Sequence, residues 1–202
     1  MILHTKIYDA PPVRKKEILR YAGCAESDDA TAALMEDCLT EATGVLTYKV
    51  CWRKLSVDVR DEVCEFGTFS VSSRQLAHNL AGCTRVILFA VTVGVGIDRL
   101  IAKYSRIAPS RALMMQAIGA ERIEALCDAF CAEMETETGF SLRPRFSPGY
   151  GDLPLEVQSE IITLLDTPRQ IGLSLNDSLL MSPTKSVTAF AGITNMAETR
   201  QL

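Results

Sequence analysis

Three segments hold residues whose types and spacing could do chemistry. Val91-Thr92-Val93-Gly94-Val95-Gly96-Ile97-Asp98-Arg99 reads as strand, glycines, helix. That is half of a dinucleotide fingerprint, in which glycines let the backbone approach a pyrophosphate at a helix start. Arg99 stands where the third glycine belongs, and a tight strand-to-helix turn accounts for Gly94 and Gly96 without a ligand. Cys127 and Cys131 lie four apart on a helical stretch and share a face, as two metal ligands or a redox pair would. No histidine or third cysteine is near them in sequence, and Cys127 falls on an apolar stripe, so packing in the core is the better reading. His4 and His78 are the only imidazoles, and neither has the acid and serine neighbours of a hydrolase triad.

The third segment says most. Arg143-Pro144-Arg145-Phe146-Ser147-Pro148-Gly149-Tyr150-Gly151-Asp152-Leu153-Pro154 is too rich in proline and glycine for a helix or a central strand. It carries two arginines, two aromatics and a serine on a backbone forced to be irregular. Such a backbone offers free N–H and C=O groups that can read the edge of a ligand. It serves equally as a structural connector between two helices, and composition alone does not choose.

The elements around it follow from periodicity. Pro11-Pro12-Val13 opens a short helix over 14–21 that Gly23 closes. Ser27, Asp28 and Asp29 start a second, with Ala33, Leu34, Cys38, Leu39 and Ala42 at helical spacing until Gly44. Residues 45–59 alternate and predict two strands, with a hairpin turn near Trp52-Arg53-Lys54. A short strand is expected at 66–69 and a helix from Ser72-Ser73 to Gly82. Residues 85–93 are apolar on both faces and predict a central strand covered on each side.

A helix follows over 96–105, and after Pro109 a long one runs to about Thr138 and stops at Gly139. Its expected buried stripe is Leu113, Ala117, Ala120, Ile123, Leu126, Cys127, Phe130 and Met134, which leaves Glu121, Glu124, Asp128 and Glu135 on a solvated face. Beyond the loop come a helix over 155–165, a strand over 171–175 and an extended stretch over 186–191. Helices and strands mix without strict alternation. The fold class is therefore α+β, a single domain over 1–202 with an antiparallel or mixed sheet covered by helices.

Bulk properties narrow the function. A chain of 202 residues, 48% hydrophobic, can bury a core without disulfide staples or a structural metal. The net charge of −4 provides no basic field for nucleic acid. No window reaches the ~20 apolar residues of a membrane span, and the N-terminus lacks the pattern of a secretory signal. Seven cysteines in no paired spacing read as reduced thiols, so a cytoplasmic location is expected.

The segment Arg145-Phe146-Ser147-Pro148-Gly149-Tyr150, then Ile171-Gly172-Leu173-Ser174-Leu175-Asn176-Asp177-Ser178, Met181-Ser182-Pro183 and Ser186-Val187, resembles the activation domain of cobalamin-dependent methionine synthase. That family has Arg-x-x-Pro-Gly-Tyr-Pro-x-Cys-Pro, a Gly-x-x-Leu-Thr-Glu-Ser element, a Met-x-Pro and a Ser-Val in the same order. The resemblance is specific over 142–187 and thinner before it. It implies a domain that binds S-adenosylmethionine and docks over the cobalamin domain. Cobalamin oxidised to the inactive Co(II) state is there reduced by a flavodoxin-type donor and remethylated.

Carried over by position, Arg145 matches the arginine that meets the polar groups of S-adenosylmethionine. Ser147 matches the residue whose backbone contacts the ligand, Gly149 and Tyr150 complete the motif, and Asp128 falls where the family has a glutamate on the long helix. No side chain need act as acid or base, and the chain is not expected to be catalytic alone. Gly151-Asp152-Leu153 replaces the family's Pro-x-Cys, and the later family tyrosine that covers the ligand has no equivalent before the chain ends. Two expectations result. One is a stand-alone reactivation subunit that works on cobalamin held by a partner, either methionine synthase or another corrinoid protein. The other is a docking module for such a protein that does not itself hold the methyl donor.

Overall fold

The computed structural model describes residues 2–24 and 28–194. In chain order the elements are β1 (His4–Tyr8), α1 (Lys15–Tyr21), α2 (Asp29–Thr43), β2 (Tyr48–Ser56), β3 (Asp58–Arg60), β4 (Val63–Glu65), β5 (Ser70–Ser72), α3 (Arg74–Asn79) and β6 (Arg85–Thr92). They continue with α4 (Gly96–Ile107), α5 (Pro109–Thr138), β7 (Ser141–Leu142), α6 (Val157–Leu164), α7 (Thr167–Gln170), β8 (Ser174–Leu175), β9 (Met181–Ser182) and β10 (Ser186–Thr194). Five strands form one antiparallel sheet in the order β1-β2-β6-β10-β7. The architecture is the expected α+β, with the sheet wholly antiparallel.

β6 is the middle strand, as its two apolar faces require. Ile87, Phe89 and Val91 point to one core, with α5, α2 and α4 above them. Val86, Leu88 and Ala90 point to a second core beneath, closed by α3, α6 and the small β3-β4-β5 sheet. The same alternation divides β2, where Val50 and Trp52 face the first core and Cys51 and Leu55 the second. In the first core Phe130 of α5 meets Phe89 and Trp52 at ring-centroid distances of 4.9 and 5.3 Å, which locks the long helix onto the sheet.

The helix ends follow local chemistry. Asp28 caps α2 by accepting from the Thr31 N–H at 2.8 Å; Ser27, the other expected start residue, lies outside the described residues. Pro109 opens α5, and Gly139 at φ +70° ends it in the left-handed region.

Several expectations are corrected. Residues 52–54 make no turn: Trp52, Arg53 and Lys54 pair in register with Phe89, Leu88 and Ile87 within one unbroken β2. Residues 66–69 are the turn between β4 and β5, closed by Phe66 N–H to Phe69 C=O at 2.9 Å, with the Phe66 ring stacked on Phe190. Of 171–175 only Ser174 and Leu175 pair, and they do so with β9. Leu113 is exposed and Met114 and Met115 are buried in its place, because the first turns of α5 face α2 and α4 before the helix settles on the sheet. β1 was not expected at all.

Candidate functional site

The loop after β7 is pinned to the sheet at its start. Arg143 N–H donates to Gly192 C=O at 2.8 Å, and Phe146 exchanges two backbone hydrogen bonds of 2.9 Å with Phe190 of β10. This strand-like pairing makes successive side chains alternate. Arg145 reaches toward α5, while Phe146 sinks into the second core at 6% exposure. The chain then turns through Ser147 and Tyr150, with Tyr150 N–H to Ser147 C=O at 3.1 Å. Gly149 stands at φ +82°, where an L side chain is strained. The Tyr150 ring stays exposed and meets Phe146 edge-on at 5.4 Å.

Asp152 ties down the far side of the loop. Its carboxylate accepts from the Ser73 hydroxyl at 2.5 Å and from the Arg74 and Gln75 N–H groups at 2.9 and 3.2 Å. It therefore adds a second cap to α3 beside Ser73, whose hydroxyl accepts from Leu76 N–H. The Ser73 hydrogen bond, with the two backbone donors, holds Asp152 below the usual carboxylate range. The Gly151-Asp152-Leu153 departure from the family pattern is thus a docking device, with Leu153 buried beneath it.

Arg145 and Asp128, far apart in sequence, come together at 3.2 Å, and Arg145 also reaches Glu124 at 2.8 Å. Burial acts to lower the Arg145 guanidinium; the facing Cys127, Glu124 and Asp128 more than offset it and hold it above its ordinary value. Its Nη1 is buried with no hydrogen-bond partner among the described residues. An unspent donor on a fixed guanidinium fork is suited to a carboxylate. Asp128 is half exposed and is met from its other side by Arg14 Nη1 at 2.8 Å.

Beside this pair a groove of about 340 Å³ runs between Pro11, Pro12 and Arg14 on one wall and Ala125, Asp128, Ala129 and Ala132 of α5 on the other. A second hollow of about 400 Å³ has Phe146 in its wall, with Arg74, Gln75, His78 and Asn79. The structure therefore groups Arg145, Ser147, Gly149 and Tyr150 in one turn and brings Asp128 to Arg145.

One part of the expected solvated face is wrong. Glu121 is fully buried, because the segment after β1 lies over that side of α5. Arg122 Nε and Nη2 donate to Glu121 at 2.6 and 2.8 Å, and Nη1 and Nη2 to the Pro11 and Pro12 carbonyls at 2.5 and 2.8 Å. Glu135 is half-buried and accepts from Leu142 N–H. Arg14 is not singled out by the sequence, and Glu124 is read there only as part of the solvated face. The partners of Arg14 lie 107 and 114 residues away, and no local pattern carries that.

The other candidates resolve into structure. A Cβ on Gly96 would overlap the Val45 carbonyl, and one on Gly94, at φ +81°, the Thr47 hydroxyl. Close packing against 45–47 is thus sufficient reason for both glycines, although a cleft of about 490 Å³ opens beside them. Asp98 there accepts from the Thr184 N–H and hydroxyl at 2.8 and 2.6 Å. None of the seven cysteines is joined in a disulfide. Burial pushes the Cys127 thiol far up and that of Cys131 up to about 11, so neither is a ready nucleophile. No cluster of three or more metal-binding side chains occurs among the described residues, and no helix among them is long and apolar enough to cross a membrane.

What remains is a guanidinium with an open donor, a carboxylate, irregular backbone and an exposed aromatic at one edge of the sheet. That set can orient a zwitterionic ligand. The family described as vitamin B12 dependent methionine synthase, activation domain, matches residues 76–199. Among solved structures, the MetH reactivation domain bound to AdoHcy superposes with a TM-score of 0.72 at 13% identity, covering 95% of this chain and 78% of that one. No curated protein sequence matches significantly.

Proposed function

Because the chain belongs to the vitamin B12 dependent methionine synthase activation-domain family, we propose that it binds S-adenosylmethionine as methyl donor for reductive remethylation of Co(II) cobalamin held by a partner. The partner is cobalamin-dependent methionine synthase or another corrinoid protein, with a flavodoxin-type protein as electron donor. The observation that carries this reading is the Arg145–Asp128 pair beside the 145–150 turn, with Arg145 Nη1 left open.

The methionyl end of S-adenosylmethionine has a carboxylate and an ammonium. Arg145 takes the carboxylate through its open Nη1, and Asp128 takes the ammonium. The backbone of Ser147 reads an edge of the adenine, Gly149 lets the chain pass close to the ligand, and the exposed Tyr150 ring covers it. No residue here moves a proton. The chain's contribution is position: it holds the sulfonium at an open surface where a corrinoid on another domain can meet it, which lowers the entropic part of the barrier. The related MetH reactivation domain, solved with AdoHcy, supports a ligand of this class.

Calorimetry with S-adenosylmethionine, and recovery of turnover when the protein is added to Co(II) methionine synthase, test the proposal. Binding that Arg145→Ala weakens by about ten- to a hundredfold is expected, from loss of a charge-assisted contact. No binding, alone or with the corrinoid partner, and no recovery would refute it.

One observation favours the second reading. Arg145 Nη2 and Asp128 are already paired with one another, and further with Glu124 and Arg14. A docking module without the methyl donor would need no more than this. Capture of a corrinoid protein that survives Arg145→Ala and ignores S-adenosylmethionine would decide for it.

A further inference from the structure

Glu121, Glu124 and Asp128 follow one another at spacings of three and four, so three carboxylates line one face of α5. Three guanidiniums meet them. Arg122 is sealed against Glu121 and two proline carbonyls, and Arg145 pairs with Glu124 and Asp128. Arg14 supplies the third charge and is held in place twice. Its backbone N–H and its Nε both donate to Glu121 Oε1 at 3.2 Å, while Nη1 donates to Asp128 at 2.8 Å. The set is formally neutral, and Arg14 is what balances Asp128 on the side away from Arg145.

We infer that Arg14 is a specificity-determining residue: its charge beside Asp128 sets how strongly the site distinguishes the sulfonium donor from its neutral thioether product. The inference rests on the reading of the site as one for S-adenosylmethionine. Donor and product share the adenosine and the amino-acid end, so Arg145, Ser147 and Asp128 serve both alike. They differ by a methyl group and one positive charge. A net-negative site favours the donor, whereas a neutral one lets the two compete on nearly equal electrostatic terms. With Arg14 in place the site is of the second kind, so accumulating product displaces the donor. Methyl supply then follows the ratio of donor to product. Arg14 also lines the groove with Pro11, Pro12 and Asp128, so it borders the proposed ligand site.

The test measures S-adenosylmethionine and S-adenosylhomocysteine affinities of the full chain by calorimetry for wild type, Arg14→Gln and Arg14→Lys. A unit charge on the order of 10 Å from the sulfonium, at an effective dielectric of about 20 to 40, changes the preference by about four- to sixteenfold. Arg14→Gln should shift the affinity ratio toward the donor by that factor, and less so at 1 M salt. Arg14→Lys should leave it within about twofold, since a point charge remains. If Arg14→Gln fails to fold, Glu124→Gln removes a negative charge from the same set and should shift the ratio the other way by a similar factor. A variant that weakens both ligands equally overturns the inference and leaves the proposed function standing. Failure of the wild type to bind either ligand, with or without the corrinoid partner, overturns both.

Discussion

Glu121→Gln is the perturbation that bears hardest on this architecture. It changes no shape, and the residues it disturbs directly are Arg122 and Arg14. Arg122 is 1% exposed and Glu121 fully buried, and they share two N–H···O bonds. Burial alone would push the Arg122 guanidinium down; the hydrogen bonds and charge of Glu121 reverse this and hold it above its ordinary value, so it stays charged in the folded protein. Glutamine leaves that charge buried without a counter-ion and turns an amide N–H toward guanidinium N–H groups. Breaking one side of a buried pair costs about 3–5 kcal/mol. At about 2–4 °C per kcal/mol for a chain of this length, the melting temperature should fall by roughly 6–20 °C.

Calorimetry or urea unfolding reads the loss, and the double variant Glu121→Met/Arg122→Met isolates its cause. Removing both charges relieves the electrostatic penalty, but the Pro11 and Pro12 carbonyls lose their donors at about 1–3 kcal/mol each. The double variant should therefore cost clearly less than the two single changes added together. In Glu121→Gln the amides of α1 should be the first to gain hydrogen exchange, since the segment before them is what Arg122 holds. A Glu121→Gln melting temperature within about 2 °C of wild type, or additivity in the double variant, would refute the argument.

Two further outcomes follow from the site. Asp152 has its folded pKa depressed by Ser73 and the α3 N–H groups, so its contribution is present above the unfolded value of about 3.9 and is lost as pH falls through the lower folded value. Asp152→Asn should flatten the acid limb of the stability profile and weaken S-adenosylmethionine binding by releasing the loop; an unchanged limb in acid titration followed by circular dichroism would count against the cap. Gly96→Ala should lose about 1–3 kcal/mol in urea unfolding, because the added methyl meets a backbone carbonyl that cannot swing away, with S-adenosylmethionine affinity unaltered. Ligand loss without stability loss in that variant would return the glycine turn to the list of binding elements.

What was legible in the sequence, and what was not, divides along physical lines. β6 was readable because its residues 86–91, buried on both faces, are all apolar, and α5 because Pro109 and Gly139 mark its ends. β1 was unreadable for the opposite reason. As an edge strand it is exposed along most of its length, so His4–Tyr8 shows no alternation to find. The false hairpin in β2 came from Arg53 and Lys54, polar residues within an unbroken strand; Lys54 reaches past the core to Glu137 at 2.8 Å, so a strand can carry its charge without ending.

The candidate site repeats the pattern on a larger scale. Arg145, Ser147, Gly149 and Tyr150 stand in one short loop whose backbone chemistry is local and therefore visible. Their electrostatic surroundings are assembled from residues 14, 121, 124 and 128. Helical periodicity placed Glu121 on the solvated face by assuming that α5 is covered from one side. It is covered from two. The sheet takes the apolar stripe, and the proline segment before α1 takes the face with the acids, so the pattern of apolar residues marks only the first contact. A buried Glu121 beside a buried Arg122 is the trace the second contact leaves in the structure, and the same contact delivers Arg14 to Asp128.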